Sequence, residues 1–383
     1  MRRAFVVVLD ACGAGALPDA EQYGDAGADT LGHLAEAVGG LDLPVLTALG
    51  LGSILPLRGA PPAAAPVLHG RLHPLGPGKD SATGHWELMG AVTPAPLPTY
   101  PDGFPPDVVA ALEDATGRRF CANGPYNGLD ALDAFGEHHL RTGELILYTS
   151  VDSVLQVAAH DAVLPRDELL ETCRAIREVM IGPHAIGRVI ARPFTGEPGA
   201  FVRTEGRKDL SVPPPGPTYL EALAARGVPV HAVGKVADLF AGRGVAERHA
   251  GATNEAALAA TTHLVRELDR GLVFTNLVDT DQVHGHRKDV AGFHQALRRI
   301  DAEAGAWLSL LRPGDLLVLT ADHGCDPAMP HPDHTREHAP LLAAFPGHGG
   351  RRHDGPLADV GASALRWLAG EDEPELPGTP FVP

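Results

Sequence analysis

Cysteine is scarce in this chain of 383 residues: Cys12, Cys121, Cys173 and Cys325 are the only four, and no two form a Cys-x-x-Cys pair. That argues against a disulfide framework or a zinc ribbon and for reduced thiols in the cytosol. No apolar run approaches the roughly 20 residues a membrane span requires. Positive charge is short as well. The 31 Lys+Arg stand against 48 Asp+Glu, a formal net charge of −17, which argues against nucleic-acid binding and against adhesion to a membrane surface. The two leading arginines and the short apolar stretch from Ala4 to Leu9 run into Asp10 with no cleavage-site pattern, so no signal peptide is expected and the expected location is cytoplasmic. There is no internal repeat. Glycine (45) and proline (35) are plentiful, but they punctuate periodic segments and form no low-complexity tract.

Histidine is what the chain has in excess. Nine of its 20 histidines lie between His284 and His353, interspersed with aspartate, a composition that points to metal chemistry. The secondary-structure pattern says where. Residues 4–9 read as a strand buried on both faces. After Pro217 helices and strands alternate: helices at 219–225, 254–269, 290–311 and 360–368, strands at 229–233, 272–278, 316–319 and 341–345. Such alternation predicts a mainly parallel sheet flanked by helices, joined by the N-terminal strand. Proline clusters at 94–106 and 213–217 bracket a middle segment with helices at 106–115 and 166–180 and strands at 145–150, 154–159 and 188–193. That segment reads as an inserted, smaller α+β domain. The expected organisation is a discontinuous core, 1–95 with 216–383, and an inserted cap, 96–215.

Ligands of an open parallel sheet bind beyond the carboxyl ends of its strands. Three predicted strands end there in acids: Asp10 after the first, Asp279-Thr-Asp281 with His284 and His286 after the strand at 272–278, and Asp322-His323 after the strand at 316–319, with His334 close behind. One aspartate after a strand is an ordinary helix N-cap. Three, with adjacent histidines, would repel one another without a cation. Oxygen and nitrogen ligands suit Mn²⁺, Zn²⁺ or Mg²⁺, and six or more of them suit two ions, the arrangement used in phosphoryl transfer. Ser81 and Thr83, in a glycine-flanked loop running into a helix near Trp86, offer hydroxyl nucleophiles. Arg192, Arg203, Arg207, Lys208 and Lys235 offer cations for a phosphate.

Asp10 in Val-Val-Leu-Asp, Gly78-Lys-Asp-Ser-Ala-Thr-Gly-His-Trp-Glu87, Tyr148-Thr-Ser-Val-Asp-Ser-Val154, Val233-Gly-Lys235, Asn276-Leu-Val-Asp-Thr-Asp281, Gly285-His-Arg287, Thr320-Ala-Asp-His-Gly-Cys-Asp326 and Asp333-His-Thr-Arg-Glu337 together resemble the phosphopentomutase family of the alkaline phosphatase superfamily, from Ala4 to about Leu368. The resemblance implies an alkaline-phosphatase-like α/β core with an inserted cap. It implies a two-metal isomerase moving phosphate between C1 and C5 of ribose or 2-deoxyribose, through a phosphorylated residue and a 1,5-bisphosphate. It implies two Mn²⁺ ions (Mg²⁺, Zn²⁺ or Co²⁺ as substitutes), one on Asp10, Asp322 and His323, the other on Asp281, His286 and His334. Thr83 would carry the phosphate; Ser150, Asp152, Arg192, Arg207 and Lys235 would contact substrate. A sugar bisphosphate such as glucose 1,6-bisphosphate or ribose 1,5-bisphosphate would prime the enzyme, and its partners would be small pentose phosphates, with neither nucleic acid nor membrane. The family usually has Thr where Ser81 and Ala82 stand, and the stretch from Ala122 to Asp130 departs from its pattern. The rivals are a phosphatase of the same superfamily, a cofactor-independent phosphoglycerate mutase and a catalytically silent relative. The complete ligand set with a hydroxyl nucleophile argues against the last.

Overall fold

Seven successive buried residues, Arg3–Leu9, form a strand with partners on both edges, as an unbroken apolar, β-branched run requires. The computed structural model describes residues 2–150 and 153–383. In chain order the strands are β1 (Arg3–Leu9), β2 (Leu68–His73), β3 (Phe120–Pro125), β4 (Leu145–Thr149), β5 (Val154–His160), β6 (Arg188–Thr195), β7 (Val202–Arg203), β8 (Lys208–Ser211), β9 (Val230–Val233), β10 (Glu247–His249), β11 (Gly271–Leu277), β12 (Asp315–Thr320), β13 (Ala339–Ala344) and β14 (Gly355–Pro356). They fall into two units, residues 1–95 with 214–383, and residues 96–213.

The first unit holds an eight-stranded sheet in the order β10-β9-β11-β1-β12-β13-β2-β14. From β10 to β12 every pair is parallel; β13 is antiparallel to both β12 and β2. This is the alkaline-phosphatase-like α/β architecture, with helices such as Asn254–Glu267 and Asp359–Ala369 packed on the sheet. Because β11, β1 and β12 are neighbours in parallel, the segments that follow them emerge at one edge. At the other end of β1, the buried Arg3 guanidinium is paired with Asp315, its register partner on β12, at 2.9 and 2.5 Å.

The second unit is a smaller α+β layer structure. Its sheet runs β3-β4-β5-β6-β7, with β8 also paired to β6. Alternation along β4 sends Leu145 and Leu147 to one core, with the helices Pro106–Thr116 and Arg166–Val179, and Ile146 and Tyr148 to another, with the helix Gly128–Thr142. The short strands β2, β3, β7, β8, β10 and β14 and the helix Gly128–Thr142 have no counterpart in the sequence pattern.

Candidate metal centre and nucleophile

Asp10 directly follows β1 and is fully buried. Asp281 lies in a π-helical turn, Thr280–His284, just past β11; a 3-10 turn, Gly285–Arg287, carries His286. Asp322 and His323 follow β12 and are also buried. The loop after them brings in His334, and its exit is tied down by Glu337. That carboxylate accepts from the hydroxyls of Thr30 and Thr335, both at 2.6 Å, and from the amides of Thr30 and Gly15 at 2.9 and 3.2 Å. A Cβ on Gly13 or Gly324 would lie 2.3 Å from a Glu337 carboxylate oxygen, so glycine is required at both places.

The six expected ligands come together. Nε2 of His334 is 3.1 Å from both Asp281 Oδ1 and His286 Nε2, and His286 Nε2 is 3.3 Å from the same aspartate oxygen. Nε2 of His323 is 3.3 Å from Asp10 Oδ1 and 3.4 Å from Asp322 Oδ2. Asp281 also belongs with Asp10 and His323, so it stands where the two sets meet, and the rings of His323 and His334 are 4.0 Å apart. His323 and His286 each donate from Nδ1 to a backbone carbonyl, of Gly324 and Pro332, which fixes both rings with Nε2 toward the cluster. Asn276 donates to Asp10 Oδ2 at 2.9 Å.

Electrostatics and hydrogen bonding both call for cations here. Burial and neighbouring Asp281 push the Asp10 carboxyl up, but His323 and Lys235 outweigh them and hold it below its ordinary range. Burial likewise opposes charge on His323, yet Asp322 and Asp10 raise it to about 10. Asp10 therefore stays anionic. Asp322 Oδ2 is buried without a hydrogen-bond donor. His85 Nδ1 lies 3.0 Å from it but gives its proton to the Ser81 carbonyl at 2.8 Å. An orphaned carboxylate oxygen amid aspartates and imidazole Nε2 atoms that converge on it is the donor set of Mn²⁺-, Zn²⁺- or Mg²⁺-type ions, whose charge would take the place of the proton His323 otherwise holds. Cys12 does not compete: burial, Asp10 and Asp322 all hold its thiol protonated.

The two candidate hydroxyls, of Ser81 and Thr83, point to different partners. The helix begins at Ser81, five residues earlier than the pattern around Trp86 indicates. Asp80 is its N-cap, accepting from the amides of Ala82 and Thr83 at 3.0 and 3.1 Å. Thr83 completes the cap: its hydroxyl donates to Asp80 Oδ2 at 2.8 Å, and the side chain is 1% exposed. Gly78 leaves it room, since a Cβ there would meet Thr83 Oγ1 at 2.2 Å. The hydroxyl that faces the ligands belongs to Ser81, with Oγ 3.1 Å from His323 Nε2 and 3.4 Å from Asp10 Oδ1. In this arrangement Thr83 caps the helix and Ser81 presents the hydroxyl on the ligand side. Gly84 lets this helix lie against Asp322, whose carbonyl oxygen would be 2.5 Å from a Cβ.

Lys235 sits in the core unit beyond β9, after Gly234 in a left-handed conformation (φ 76°), and its charge reaches Asp10. In the second unit Arg192 donates to Gln156 at 2.7 Å, and Arg207 forms a bidentate pair with Asp209 at 2.7 Å. Both arginines, with Arg203, act electrostatically on the buried Tyr148 hydroxyl. Ser150 is half-buried at the end of β4; Asp152 lies outside the described residues.

The metalloenzyme superfamily profile matches residues 2–371. A phosphopentomutase of Anaeromyxobacter dehalogenans (strain 2CP-1) is 51% identical, covering 96% of this chain and 95% of its own. A phosphopentomutase of Caldanaerobacter subterraneus is 45% identical over 95% and 93%. Among solved structures, a Pyrococcus horikoshii protein superposes with a TM-score of 0.49 at 15% identity, covering 97% of this chain and 98% of that one.

Proposed function

The chain belongs to the phosphopentomutase family of the metalloenzyme superfamily, and from that premise we propose that it transfers phosphate reversibly between C1 and C5 of ribose or 2-deoxyribose by way of Ser81. It is a mutase acting on small pentose phosphates. The observation that carries the finer reading is the Ser81 hydroxyl, at the first residue of a helix and within 3.4 Å of two expected metal ligands.

Two divalent cations, with Mn²⁺ as the proposed native ion, would supply Lewis-acid charge to the reacting phosphoryl oxygens and help Ser81 ionise. Asp10, Asp322 and His323 would hold one and Asp281, His286 and His334 the other, with Asp281 where the two ligand sets meet. Asn276 and His85 orient Asp10 and the Ser81 turn from behind. The positive end of the helix dipole, at its first residue, favours a phosphate on Ser81.

In the forward cycle the phosphoryl group on Ser81 passes to the free hydroxyl of a pentose monophosphate. That leaves Ser81 unmodified and gives the 1,5-bisphosphate. Ser81 Oγ then attacks the other phosphate, breaking its bond to the sugar oxygen. The isomeric monophosphate departs and phosphoserine is restored. A sugar bisphosphate loads Ser81 at the outset. Lys235, and in the inserted unit Ser150, Asp152, Arg192 and Arg207, are proposed to bind the sugar and its non-reacting phosphate.

The test is peptide mapping after incubation with glucose 1,6-bisphosphate and Mn²⁺, alongside ³¹P NMR of EDTA-quenched samples given ribose 1-phosphate. Phosphate on Ser81, ribose 5-phosphate as the main product, and loss of both in Ser81→Ala are expected. Phosphate on Thr83 would return the role to that residue, and inorganic phosphate as the main product would make the chain a phosphatase.

A further inference from the structure

A second group of ligating side chains in the core unit lies away from the centre just described. Strands β9 and β10 run parallel at the end of the eight-stranded sheet, with Glu247 opposite His231 and His249 opposite Val233. Side chains alternate along a strand and register partners share a face, so His231, Glu247 and His249 project to the same side. Nδ1 of His231 and Nε2 of His249 are 3.1 Å apart, and Glu247 Oε2 is 3.6 Å from the first and 3.9 Å from the second. We propose that these three residues form a further metal site, independent of the aspartate-rich centre, for a divalent cation of the zinc class.

The spacing fits. Two ligands on a tetrahedral zinc ion, at ~2.1 Å each, stand ~3.4 Å from one another. Two imidazoles and one carboxylate are an established zinc donor set with a position left for water. Nitrogen donors also rank Zn²⁺, Ni²⁺ and Cu²⁺ above Mn²⁺ and Mg²⁺. Burial divides the labour. The His231 side chain is 7% exposed and fixed in the sheet; Glu247 is 63% exposed and free to swing the few tenths of an ångström that ligation asks of it. A hydrogen bond between the two rings would account for the 3.1 Å contact but leaves unexplained a carboxylate that faces both nitrogens.

Cys121, His138 and Glu144 of the inserted unit also lie together, but His138 Nε2 is engaged by Glu144 at 2.8 Å and the thiol is pushed up to about 11. The β9–β10 triad is the better-formed set. An ion there would tie the three-residue edge strand β10 to β9, the strand that leads through Gly234 to Lys235.

The experiment counts zinc and locates it. Wild type, His249→Gln and Glu247→Gln are dialysed against micromolar Zn²⁺ with millimolar Mg²⁺, and bound zinc per chain is measured by mass spectrometry. His249→Gln should hold one zinc fewer than wild type, Glu247→Gln should bind that zinc at least tenfold more weakly, and both should keep mutase activity within twofold. In wild type, long-range ¹H–¹⁵N spectra should show His231 Nδ1 and His249 Nε2 shifting as zinc is added. Equal zinc in all three proteins, or imidazole nitrogens at His231 and His249 that do not move, would overturn the proposal.

Discussion

Ser81 and Thr83 are two residues apart on the first turn of one helix, and the turn sends their hydroxyls to different partners, the ligand cluster and the N-cap carboxylate. Thr83→Val, which keeps the shape and removes the hydroxyl, should therefore lower stability by ~1 kcal/mol while Ser81 still takes up phosphate. Thermal melts and peptide mapping of the variant check both halves. Glu337 gives a pH signature. Its burial raises the carboxyl to about 7 despite four hydrogen-bond donors. Between about 4.5, the unfolded value, and about 7 the native state then binds more protons than the unfolded one. The stability contributed by this group falls as pH rises through that window, by up to ~1.4 kcal/mol per unit, and is level above it. The stability of wild type minus that of Glu337→Gln, from urea unfolding at pH 5, 6, 7 and 8, should decline up to about pH 7 and then stay constant.

At the scale of the element, the helix Ser81–Leu88 is positioned by a glycine. Alanine is ordinarily worth ~1 kcal/mol over glycine inside a helix, but a Cβ at Gly84 would meet the Asp322 backbone, which cannot yield. Gly84→Ala should move the helix off Asp322 and cut kcat on the order of 10²-fold, with Ser81 phosphorylation slowed in step; steady-state rates and phosphorylation kinetics read this out. The same helix shows where the sequence was legible. Strands β1, β11 and β12 stood out as apolar runs ending in acid, and with them a gathering of aspartates and histidines at one sheet edge; the choice of Asp281 over Asp279 and of His286 over His284 came from the family resemblance alone. The helix start was hidden because Gly-Lys-Asp-Ser-Ala-Thr-Gly carries no apolar periodicity. Its onset is set by Asp80 capping, and that choice decides which hydroxyl faces the ligand cluster. Strands β2 and β10 were hidden for a related reason: Leu-His-Gly-Arg-Leu-His and Glu-Arg-His are strands only because β13 and β9 offer them hydrogen bonds.

For the whole molecule, the division into two units makes the centre a stability element of one of them. Asp10, Asp281 and Asp322 are each at most 5% exposed and gather like charges that a cation relieves. Removing metal with EDTA should lower the melting transition of the core unit and leave that of the inserted unit in place. Restoring Mn²⁺ to about 100 times its dissociation constant should return ~2.7 kcal/mol, a concentration-dependent shift that calorimetry resolves.

The position of β1 has a bearing on how the chain is made. Its two neighbours in the sheet, β11 and β12, begin at Gly271 and Asp315, although β1 ends at Leu9. At a synthesis rate of about 5–20 residues per second, this apolar strand leaves the ribosome roughly 15–50 s before either partner exists. Through that interval it is an unpaired, β-branched segment of the kind that seeds aggregation. The inserted unit, whose contacts lie within residues 96–213, can fold in the meantime; the catalytic core has to wait for its last third. Nascent chains arrested before residue 271 should therefore be clients of chaperones that bind exposed apolar strands, and release should follow once β11 and β12 emerge.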